Sequence, residues 1–405
     1  MKSHHQTLII GGGPAGSAAA FTLAKHGLDV GVVDKARFPR DKLCGGLLTL
    51  RSRKIYQRTF EQPWDAVISH TAHGVKFMHR NTLLNQVSDQ TDLFFTRRVD
   101  FDQFLLEQAI ARGADTYLDD AAVSIDLSAK VCRLRSGREI GYDTLNGADG
   151  VNSLVAKSLF GQAFNPRTVA FALELEVDRA SHPEPVDDPE IHFGLVRWGY
   201  GWVFPKRDTL TVGVGGLHAR NPALKATFNR FLEDRFGTIP AGRIKGHHLP
   251  FGDYRKVPGR DDVLLCGDAA GLVEPITGEG IAFAMQSGLY AAEAIIEAAG
   301  RPALPGYQTR YREISSDFAY ANRMRYLLFP SLSEHLFLKA LPRNKTMGLK
   351  HLALMADEID YADYARHMLF RTLKRLGKTL LFRGGTGSSR SEEHTSELQS
   401  RYVIS

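Results

Sequence analysis

The sequence predicts an α/β protein built on a Rossmann-type dinucleotide-binding domain, and three observations support that prediction. An apolar strand near the N-terminus runs directly into a glycine-rich turn and a helical pattern, TLIIGGGPAG followed by SAAAFTLAKHG. A second apolar strand, DVGVVD, ends in the acid Asp34. Residues 168–216 are the most strand-rich part of the chain, and the pattern is helical from Gly278 onward. A β-rich region is therefore expected between parts of the dinucleotide-binding domain, with a helical C-terminal region after it.

Each glycine of the first turn has a separate geometric role. Gly11 permits the tight turn from strand to helix, Gly13 lets the backbone approach a pyrophosphate, and Gly16 allows close packing of helix on strand. The helix that begins near Pro14 directs its free N–H groups toward the anion. Asp34 is placed to accept a hydrogen bond from a ribose 2′-hydroxyl and would repel a 2′-phosphate, which disfavours NADP. The turn predicts a dinucleotide site, and FAD and NAD both remain open.

Composition and charge limit the other classes of function. The chain has 405 residues, enough for a large core, and a formal net charge of +6 without a dense Lys/Arg block, so nucleic acid is not an expected partner. Cys44, Cys132 and Cys266 are too widely spaced for a disulfide framework or a zinc site. No run of eighteen apolar residues occurs. We expect a cytoplasmic protein that holds no metal and is at most peripheral at a membrane.

The predicted organisation has four regions. The dinucleotide-binding domain is discontinuous, and the substrate domain, an antiparallel sheet, is interleaved with it. The helical region follows, and the last residues form a disordered tail. The boundaries are 1–75, 97–165 and 250–300 for the first domain, 76–96 and 166–249 for the substrate domain, 301–383 for the helical region, and 384–405 for the tail. The tail sequence RSEEHTSELQS resembles a translated sequencing-library adapter, so it is excluded from fold reasoning.

Three stretches resemble the FAD-dependent geranylgeranyl reductases and their wider relatives, the p-hydroxybenzoate hydroxylase-like flavoproteins. The N-terminal turn with Asp34 is the first. LNGADGVNSLV resembles the superfamily's Asp-Gly motif, at Asp149 and Gly150. GDAAGLVEPITGEGIAFAMQSG resembles the motif whose aspartate, here Asp268, holds the ribitol chain of the flavin cofactor. Together the three imply a Rossmann-type domain of the p-hydroxybenzoate hydroxylase type that binds FAD rather than NAD.

Further stretches resemble the reductase branch in particular. YGWVFP, from Tyr200 to Pro205, is similar to the reductases' Tyr-x-Trp-x-Phe-Pro element, whereas flavin-dependent halogenases carry a related Trp-x-Trp-x-Ile-Pro. PRDKLCGG, which contains Cys44, resembles their Cys-Gly segment beside the isoalloxazine ring. RRVDFD, ending at Asp102, resembles their Arg-x-x-Phe-Asp, in which Arg98 contacts the cofactor. Each stretch also has a structural interpretation: the aromatics as core, Cys44 as an inert buried thiol, and Arg98 as the partner of a carboxylate.

The motifs and the resemblance together give a set of candidate site residues. The cofactor-binding set is Gly11, Gly13, Ala15, Gly16, Asp34, Cys44, Gly45, Arg98, Ala122, Asp149, Gly267, Asp268, Gly278, Gly280 and Ile281. The substrate set is Tyr200, Trp202 and Phe204. Cys44, or a nearby water, is in addition the candidate catalytic proton donor. A helix beginning at Gly280 would favour negative charge on a reduced flavin.

The resemblance implies an alkene reductase in which reduced FAD delivers hydride to a carbon-carbon double bond of a geranylgeranyl-type isoprenoid lipid or diphosphate. An unactivated alkene offers no oxyanion to stabilise, so catalysis must rest on positioning and exclusion of water, within a long apolar tunnel. Two alternatives remain: a monooxygenase or halogenase that uses oxygen at the same flavin, and a flavin-binding protein without activity. Only one dinucleotide fingerprint is present, so electrons would come from NADPH in transient contact or from a reduced electron-carrier protein.

The segment from Asp363 to Phe382 has leucines and phenylalanine at helical spacing, with arginine and lysine around much of the remaining circumference. One interpretation is an amphipathic helix that lies in a membrane interface, held by acyl contact and by attraction to anionic lipid. The other is a terminal helix packed on the protein with a solvated basic face. Both interpretations remain open at this stage.

Overall fold

The computed structural model describes residues 2–330 and, beyond them, Lys350, Ala353, Asp363, Tyr364 and Arg366. The predicted tail at 384–405 lies outside the described residues. So do most of the helical region predicted for 301–383 and most of the amphipathic segment from Asp363 to Phe382.

The described part of the chain contains sixteen strands and seven α-helices. In chain order the strands are β1 (His4–Ile10), β2 (Val30–Asp34), β3 (Leu47–Leu48), β4 (His70–His79), β5 (Thr82–Phe95), β6 (Asp115–Leu118), β7 (Ala122–Asp126), β8 (Val131–Leu134), β9 (Glu139–Gly147), β10 (Ala170–Asp178), β11 (Glu190–Phe193), β12 (Gly199–Pro205), β13 (Thr209–Leu217), β14 (Lys245–Leu249), β15 (Gly259–Arg260) and β16 (Val263–Leu265). The helices are α1 (Pro14–Lys25), α2 (Leu50–Phe60), α3 (Arg98–Ala111), α4 (Leu154–Phe160), α5 (Leu224–Phe236), α6 (Ile281–Ala298) and α7 (Leu304–Leu328).

The first sheet has the strand order β15-β16-β9-β1-β2-β6, and β7 and β8 form an antiparallel extension that pairs with β9. The strands from β16 to β6 are parallel to one another. Every residue of β2 is buried, as expected for a parallel strand covered on both faces. β16 lies beside β9, so the strand before GDAAG is part of the first sheet. The carboxyl ends of β1, β9 and β16 therefore meet at one edge, where α/β sheets bind their ligands.

The second sheet has the order β14-β10-β13-β12-β11-β4-β5-β3, antiparallel except for the β11–β4 pair. Nearly every residue of the central strands β12 and β13 is buried, so both faces of the sheet are covered there. One side packs on α5, where valines of β12 and β13 meet Phe228 and Phe231. The other side carries Tyr200, Trp202 and Phe204 and faces the carboxyl edge of the first sheet.

Helix α6 follows a glycine turn and packs along α1. The two helices approach so closely that a Cβ atom on Gly288 would lie 2.1 Å from the carbonyl oxygen of Ala15. Gly288 therefore allows both helices to begin at the same edge of the sheet. α7 in turn packs on α6. None of the helices in the described part of the chain is both long and apolar enough to span a membrane.

The predicted α/β class is confirmed, while the four-region division of the chain stays a prediction. The second sheet takes Leu47–Leu48 and the first six residues of β4, 70–75, which the predicted boundary at 75 assigns to the dinucleotide-binding domain. The last boundary of the predicted substrate domain, at 249, coincides with the end of β14. In the sequence, hydrophobic and polar residues alternate only weakly over residues 65–96, so the pattern does not show where the hairpin of β4 and β5 begins.

Candidate cofactor and substrate cavity

A cavity of about 720 Å³ lies between the carboxyl edge of the first sheet and the inner face of the second. This volume is within the range of small-molecule and cofactor sites. Of the residues that the sequence nominated, only Gly16 does not line it. Those that do are Gly11, Gly13, Ala15, Asp34, Cys44, Gly45, Arg98, Ala122, Asp149, Tyr200, Trp202, Phe204, Gly267, Asp268, Gly278, Gly280 and Ile281.

In the first glycine turn, the fold itself requires glycine at Gly11 and Gly16 but leaves room for a side chain at Gly13. Gly11 has a φ of +106°, and a Cβ there would lie 2.3 Å from the Ala148 carbonyl oxygen. A Cβ on Gly16 would lie 1.8 Å from the Gly11 oxygen. At Gly13, by contrast, the only neighbour within 4 Å of a Cβ among the described residues is the Arg40 guanidinium, at 3.2 Å. Gly13 therefore presents bare backbone to the cavity, as close approach of a ligand requires.

Asp34 is buried at the end of β2, and its carboxylate organises the turn. One oxygen accepts from the backbone N–H of Gly12 at 2.8 Å, and the other from that of Ala36 at 2.9 Å. A carboxylate has about four acceptor positions, so two remain for a ligand hydroxyl. The Nε atom of Arg40 lies 3.8 Å from the same carboxylate. The predicted ribose contact of Asp34 stays a prediction.

The second glycine turn, Gly278 to Gly280, leads into α6. Hydrogen bonds from the start of α2 and from the second sheet hold it in place. The Thr49 hydroxyl at the start of α2 donates to Glu279 at 2.7 Å. From the second sheet, the Tyr200 hydroxyl donates to the carbonyl of Thr277. Tyr200 was expected only to form a substrate wall, but it also links the second sheet to the turn before α6.

The surroundings of Asp268 show whether the cavity suits a cofactor with a hydroxylated chain. Burial raises the pKa of this carboxyl group, and the nearby cations of Lys42 and Arg98 oppose that change. Within residues 2–330, no group donates a hydrogen bond to its carboxylate. This half-buried carboxylate faces the cavity with its acceptor positions free of protein donors, so it can accept hydrogen bonds from a ligand there. The ribitol hydroxyls of FAD would supply such donors.

Asp149 lines the cavity, but its side chain is used inside the protein. One carboxylate oxygen accepts from the hydroxyl of Ser153 at 2.5 Å and the other from the N–H of Leu154 at 2.6 Å. These bonds satisfy the first turn of α4. The Asp-Gly motif therefore shapes the loop beside Gly11, and any contact of Asp149 with a ligand is left to its backbone.

Arg98 and Cys44 lie together at the cavity wall. The Arg98 guanidinium forms a bidentate pair with Asp102, with two distances of 2.7 Å. Burial acts to lower the pKa of Arg98, but the Asp102 carboxylate and Cys44 raise it overall. The Cys44 sulfur accepts from the N–H of Gly46 at 3.4 Å. Arg98 therefore pairs with a carboxylate and also lines the cavity, while its contact with the cofactor stays a prediction.

The predicted substrate residues form one aromatic wall. Trp202 packs edge-on against Tyr200 at 5.9 Å and stacks with Phe204 at 6.2 Å between ring centroids. The Trp202 ring lies over Gly213 of β13, where a Cβ would come within 2.3 Å of it. Phe204 lies directly beside Gly45, so the aromatic wall and the Cys-Gly segment are adjacent.

Sequence reasoning missed a buried acid behind this wall. Glu174 accepts from Trp202 Nε1 at 3.4 Å and from the backbone N–H of Cys44. Burial raises its pKa to about 7, and Lys206 opposes that change. Glu174 shares a face of β10 with Ala170 and Ala172, which line the cavity. Strand alternation could have assigned that face, but only the tertiary structure shows that Trp202 and Cys44 lie against it.

Two bases were also missed. Lys42 and His247 line the cavity from the Cys-Gly segment and from β14. Burial lowers the pKa of His247 to about 3, with Lys42 adding to the effect, so its imidazole is neutral. Burial lowers the pKa of Lys42, while Asp268 raises it. A lysine between two motif residues carries no signal of its own, so the sequence alone could not nominate it.

A substitution at Asp268 should separate cofactor binding from folding. Asp268→Ala is expected to weaken FAD binding by about 1 to 3 kcal/mol, the worth of a hydrogen bond to a charged group, without unfolding the protein. Asp149→Ala is the matched control, and it should destabilise the fold because the N–H groups of Leu154 and Val155 at the start of α4 lose their acceptor. FAD titration and denaturant unfolding of both variants measure the two effects. Unchanged FAD affinity in Asp268→Ala would show that the carboxylate does not contact the cofactor.

Comparison with known proteins identifies the family. A family model described as an FAD binding domain matches residues 4–197. The menaquinone reductase of Mycolicibacterium smegmatis is 31% identical over 352 residues, covering 81% of this chain and 85% of the relative. The geranylgeranyl diphosphate reductase of Rhodobacter capsulatus is 31% identical over 323 residues, covering 74% and 77%. These relatives match most of the chain.

Solved structures confirm the fold. A geranylgeranyl bacteriochlorophyll reductase-like protein from Thermoplasma acidophilum has a TM-score of 0.67 at 22% identity, covering 87% of this chain and 92% of that chain. A flavin-dependent brominase has a TM-score of 0.69 at 20% identity, covering 92% and 100%. At such low identity these two similarities establish the p-hydroxybenzoate hydroxylase-like fold and leave the reaction to the site. On the sequence matches, the chain is an FAD-dependent oxidoreductase that belongs to the geranylgeranyl reductase family of these flavoproteins.

Proposed function

We propose that this protein reduces carbon-carbon double bonds of an isoprenoid lipid or diphosphate of the geranylgeranyl type. The observation that supports this best is the aromatic wall of Tyr200, Trp202 and Phe204, which shares one cavity with both glycine turns. An apolar wall beside a flavin site suits a substrate with a long hydrocarbon chain. The names of the reductase relatives point to the same substrate class.

The residues present fit bound FAD along the length of the cavity. Asp34 and Ala122 would hold the adenosine part, Gly13 the pyrophosphate, Asp268 the ribitol chain, and Gly280 the ring end. The reduced cofactor, when bound, supplies a hydride to one carbon of the double bond. The helix N-termini at Pro14 and at Ile281 both line the cavity and favour negative charge there.

The chain itself must position the alkene, exclude water and supply a proton. Trp202 and Phe204 are buried, and Phe204 contacts the Cys-Gly segment, so the double bond would be held against an apolar surface. The adjacent carbon takes a proton, for which Cys44 is our candidate donor. Arg98 lies beside the Cys44 sulfur at the wall of the cavity.

Anaerobic turnover tests the proposal. FAD-loaded protein is reduced with dithionite, freed of excess reductant, and mixed without oxygen with geranylgeranyl diphosphate or a prenylated quinone. We expect the flavin spectrum to return to the oxidised form and mass spectrometry to show a gain of two hydrogen atoms per bond reduced. A flavin that stays reduced with every isoprenoid, in a protein that retains FAD, would contradict the proposal and favour a flavin-binding protein without activity.

The same experiment discriminates the oxygen-dependent alternative. A monooxygenase or halogenase would leave the isoprenoid unchanged without oxygen and consume oxygen when substrate is added. The brominase shares the fold, but its similarity at 20% identity does not extend to the reaction. The Tyr200, Trp202 and Phe204 pattern matches the reductase element, which is why we favour reduction.

The electron donor and the cellular setting belong to the same proposal. The described part of the chain has one glycine-rich dinucleotide turn of the Rossmann type, so NADPH would bind in transient contact, or a reduced carrier protein would deliver electrons. We propose a cytoplasmic enzyme of lipid metabolism with peripheral membrane contact, since its substrate class dissolves in bilayers. The segment from Asp363 to Phe382 that motivates the membrane contact lies mostly outside the described residues.

A further inference from the structure

The aromatic wall continues beyond the three residues that the sequence nominated. Trp198, Tyr200, Trp202 and Phe204 follow at every second position, and all four line the cavity. Tyr200, Trp202 and Phe204 lie on β12, where about 3.4 Å per residue separates the first from the last by roughly 14 Å, and Trp198 directly precedes the strand. Phe204 stands at the end beside Gly45, and Trp198 stands at the opposite end.

The cavity at the Trp198 end is apolar. Trp198 belongs to a hydrophobic cluster that is distinct from the core of the first sheet and from the contact with α5. The cluster residues that line the cavity are Ala170, Trp198, Leu249, Phe251 and Val273. None of them carries a charge, so this wall of the cavity suits hydrocarbon.

The Trp198 ring is supported on the side away from the cavity. Tyr326 packs edge-on against it at 5.0 Å, and Phe329 stacks at 6.0 Å between ring centroids. Two guanidinium groups lie over the ring, that of Arg220 at 4.8 Å and that of Arg325 at 5.7 Å. Side chains from the end of α7 and from the segment before α5 thus hold the ring in one place, and only 7% of the residue is exposed.

The backbone at this position is also held. Trp198 has a φ of +56°, a left-handed conformation that a bulky residue adopts only when its surroundings impose it. The Asn221 side chain accepts from the N–H of Arg197 and donates to its carbonyl, both at 2.8 Å. The N–H of Leu217 donates to the Trp198 carbonyl at 3.3 Å. The turn is therefore fixed with the indole against the cavity.

We propose that Trp198 closes the apolar end of the cavity and limits the length of the isoprenoid chain that can lie along the aromatic row. This inference rests on the proposed function for its substrate, but it concerns a wall that any alkyl chain would meet. Removing the indole should extend the cavity toward Tyr326 and Phe329, so that longer chains fit.

The test compares chain-length limits in Trp198→Gly and Trp198→Phe. Glycine suits the left-handed backbone, so the first variant removes the ring without adding strain. The second retains a smaller ring on the same backbone and should fold even if the first does not. FAD-loaded, dithionite-reduced proteins are given prenyl diphosphates from geranyl to hexaprenyl. We expect kcat/KM for chains beyond the wild-type limit to rise about tenfold or more relative to the shortest chain in Trp198→Gly, and by less in Trp198→Phe.

Tyr326→Ala is the matched control, because it removes support behind the indole while leaving the indole in the wall; it should retain the wild-type length limit. A second measurement, binding of saturated alkyl alcohols of increasing length by their effect on the absorbance of oxidised FAD, needs no turnover. If no isoprenoid is reduced, the proposed function fails, and the alkyl length limit still decides the role of Trp198. An unchanged length limit in both Trp198 variants, or the absence of any limit in wild type, would overturn the inference.

Discussion

Gly13→Val is expected to fold normally and to lose FAD. A Cβ at this position meets only the tip of the flexible Arg40 side chain, so the protein itself has room for one. The backbone is extended, with φ −77° and ψ −172°, and Pro14 follows; a β-branched residue accepts this conformation. The side chain would then occupy space that the pyrophosphate needs. A steric penalty of about 3 kcal/mol corresponds to a loss in affinity of about 100-fold.

Gly12→Ala provides the control within the same turn. A Cβ on Gly12 meets Phe38 at 3.3 Å and Leu106 at 3.4 Å, contacts that side chains can adjust to, and Gly12 does not line the cavity. This variant should keep FAD. The flavin content of purified protein and FAD titration of the apoprotein measure the difference, with circular dichroism as the check on folding. Full FAD occupancy in Gly13→Val would refute the assignment of this turn to the pyrophosphate.

The residues proposed to hold the cofactor could be selected from the sequence because the features that identify them are local. Gly11 and Gly13 act through their backbone conformation, and the short crossover from β1 through α1 to β2 brings Asp34 beside them. One continuous sequence motif contains all three residues. The same holds for Gly278 and Gly280, where a turn leads directly into a helix. Seventeen of the eighteen nominated residues line one cavity, although their individual roles remain predictions.

The substrate side could be predicted only in part, because it depends on contacts between distant segments. Tyr200 was identified as an aromatic of the wall, but its hydroxyl contact with Thr277 bridges two sheets that no local pattern connects. Trp198 follows the same alternation, yet its left-handed backbone depends on Asn221, which comes after the next strand. In the sequence Glu174 lies in an ordinary strand pattern, and its contacts with Trp202 and Cys44 appear only in the tertiary structure.

Glu174 should make the stability of the protein fall as the pH rises from about 4.5 to 7. Burial raises the pKa of this carboxyl group in the folded state to about 7, against 4.5 for an ordinary glutamic acid. Below pH 4.5 both states are protonated and the full contribution is present. Between the two values the unfolded chain ionises first, so it binds fewer protons than the folded chain and stability declines. One pKa unit corresponds to about 1.4 kcal/mol, so the total loss is about 3 kcal/mol.

Glu174→Gln removes the titrating group and keeps a carbonyl that can accept from Trp202 Nε1. Its free energy of unfolding, relative to wild type, should therefore rise by about 3 kcal/mol between pH 4 and pH 8. Glu176→Gln is the control on the same strand, where the carboxylate is more exposed and pairs with Lys206 at 3.4 Å; this variant should follow the wild-type slope more closely. Urea unfolding at a fixed FAD concentration gives these values. If Glu174→Gln and wild type run parallel across this range, the carboxyl group of Glu174 is not held neutral by its burial behind Trp202.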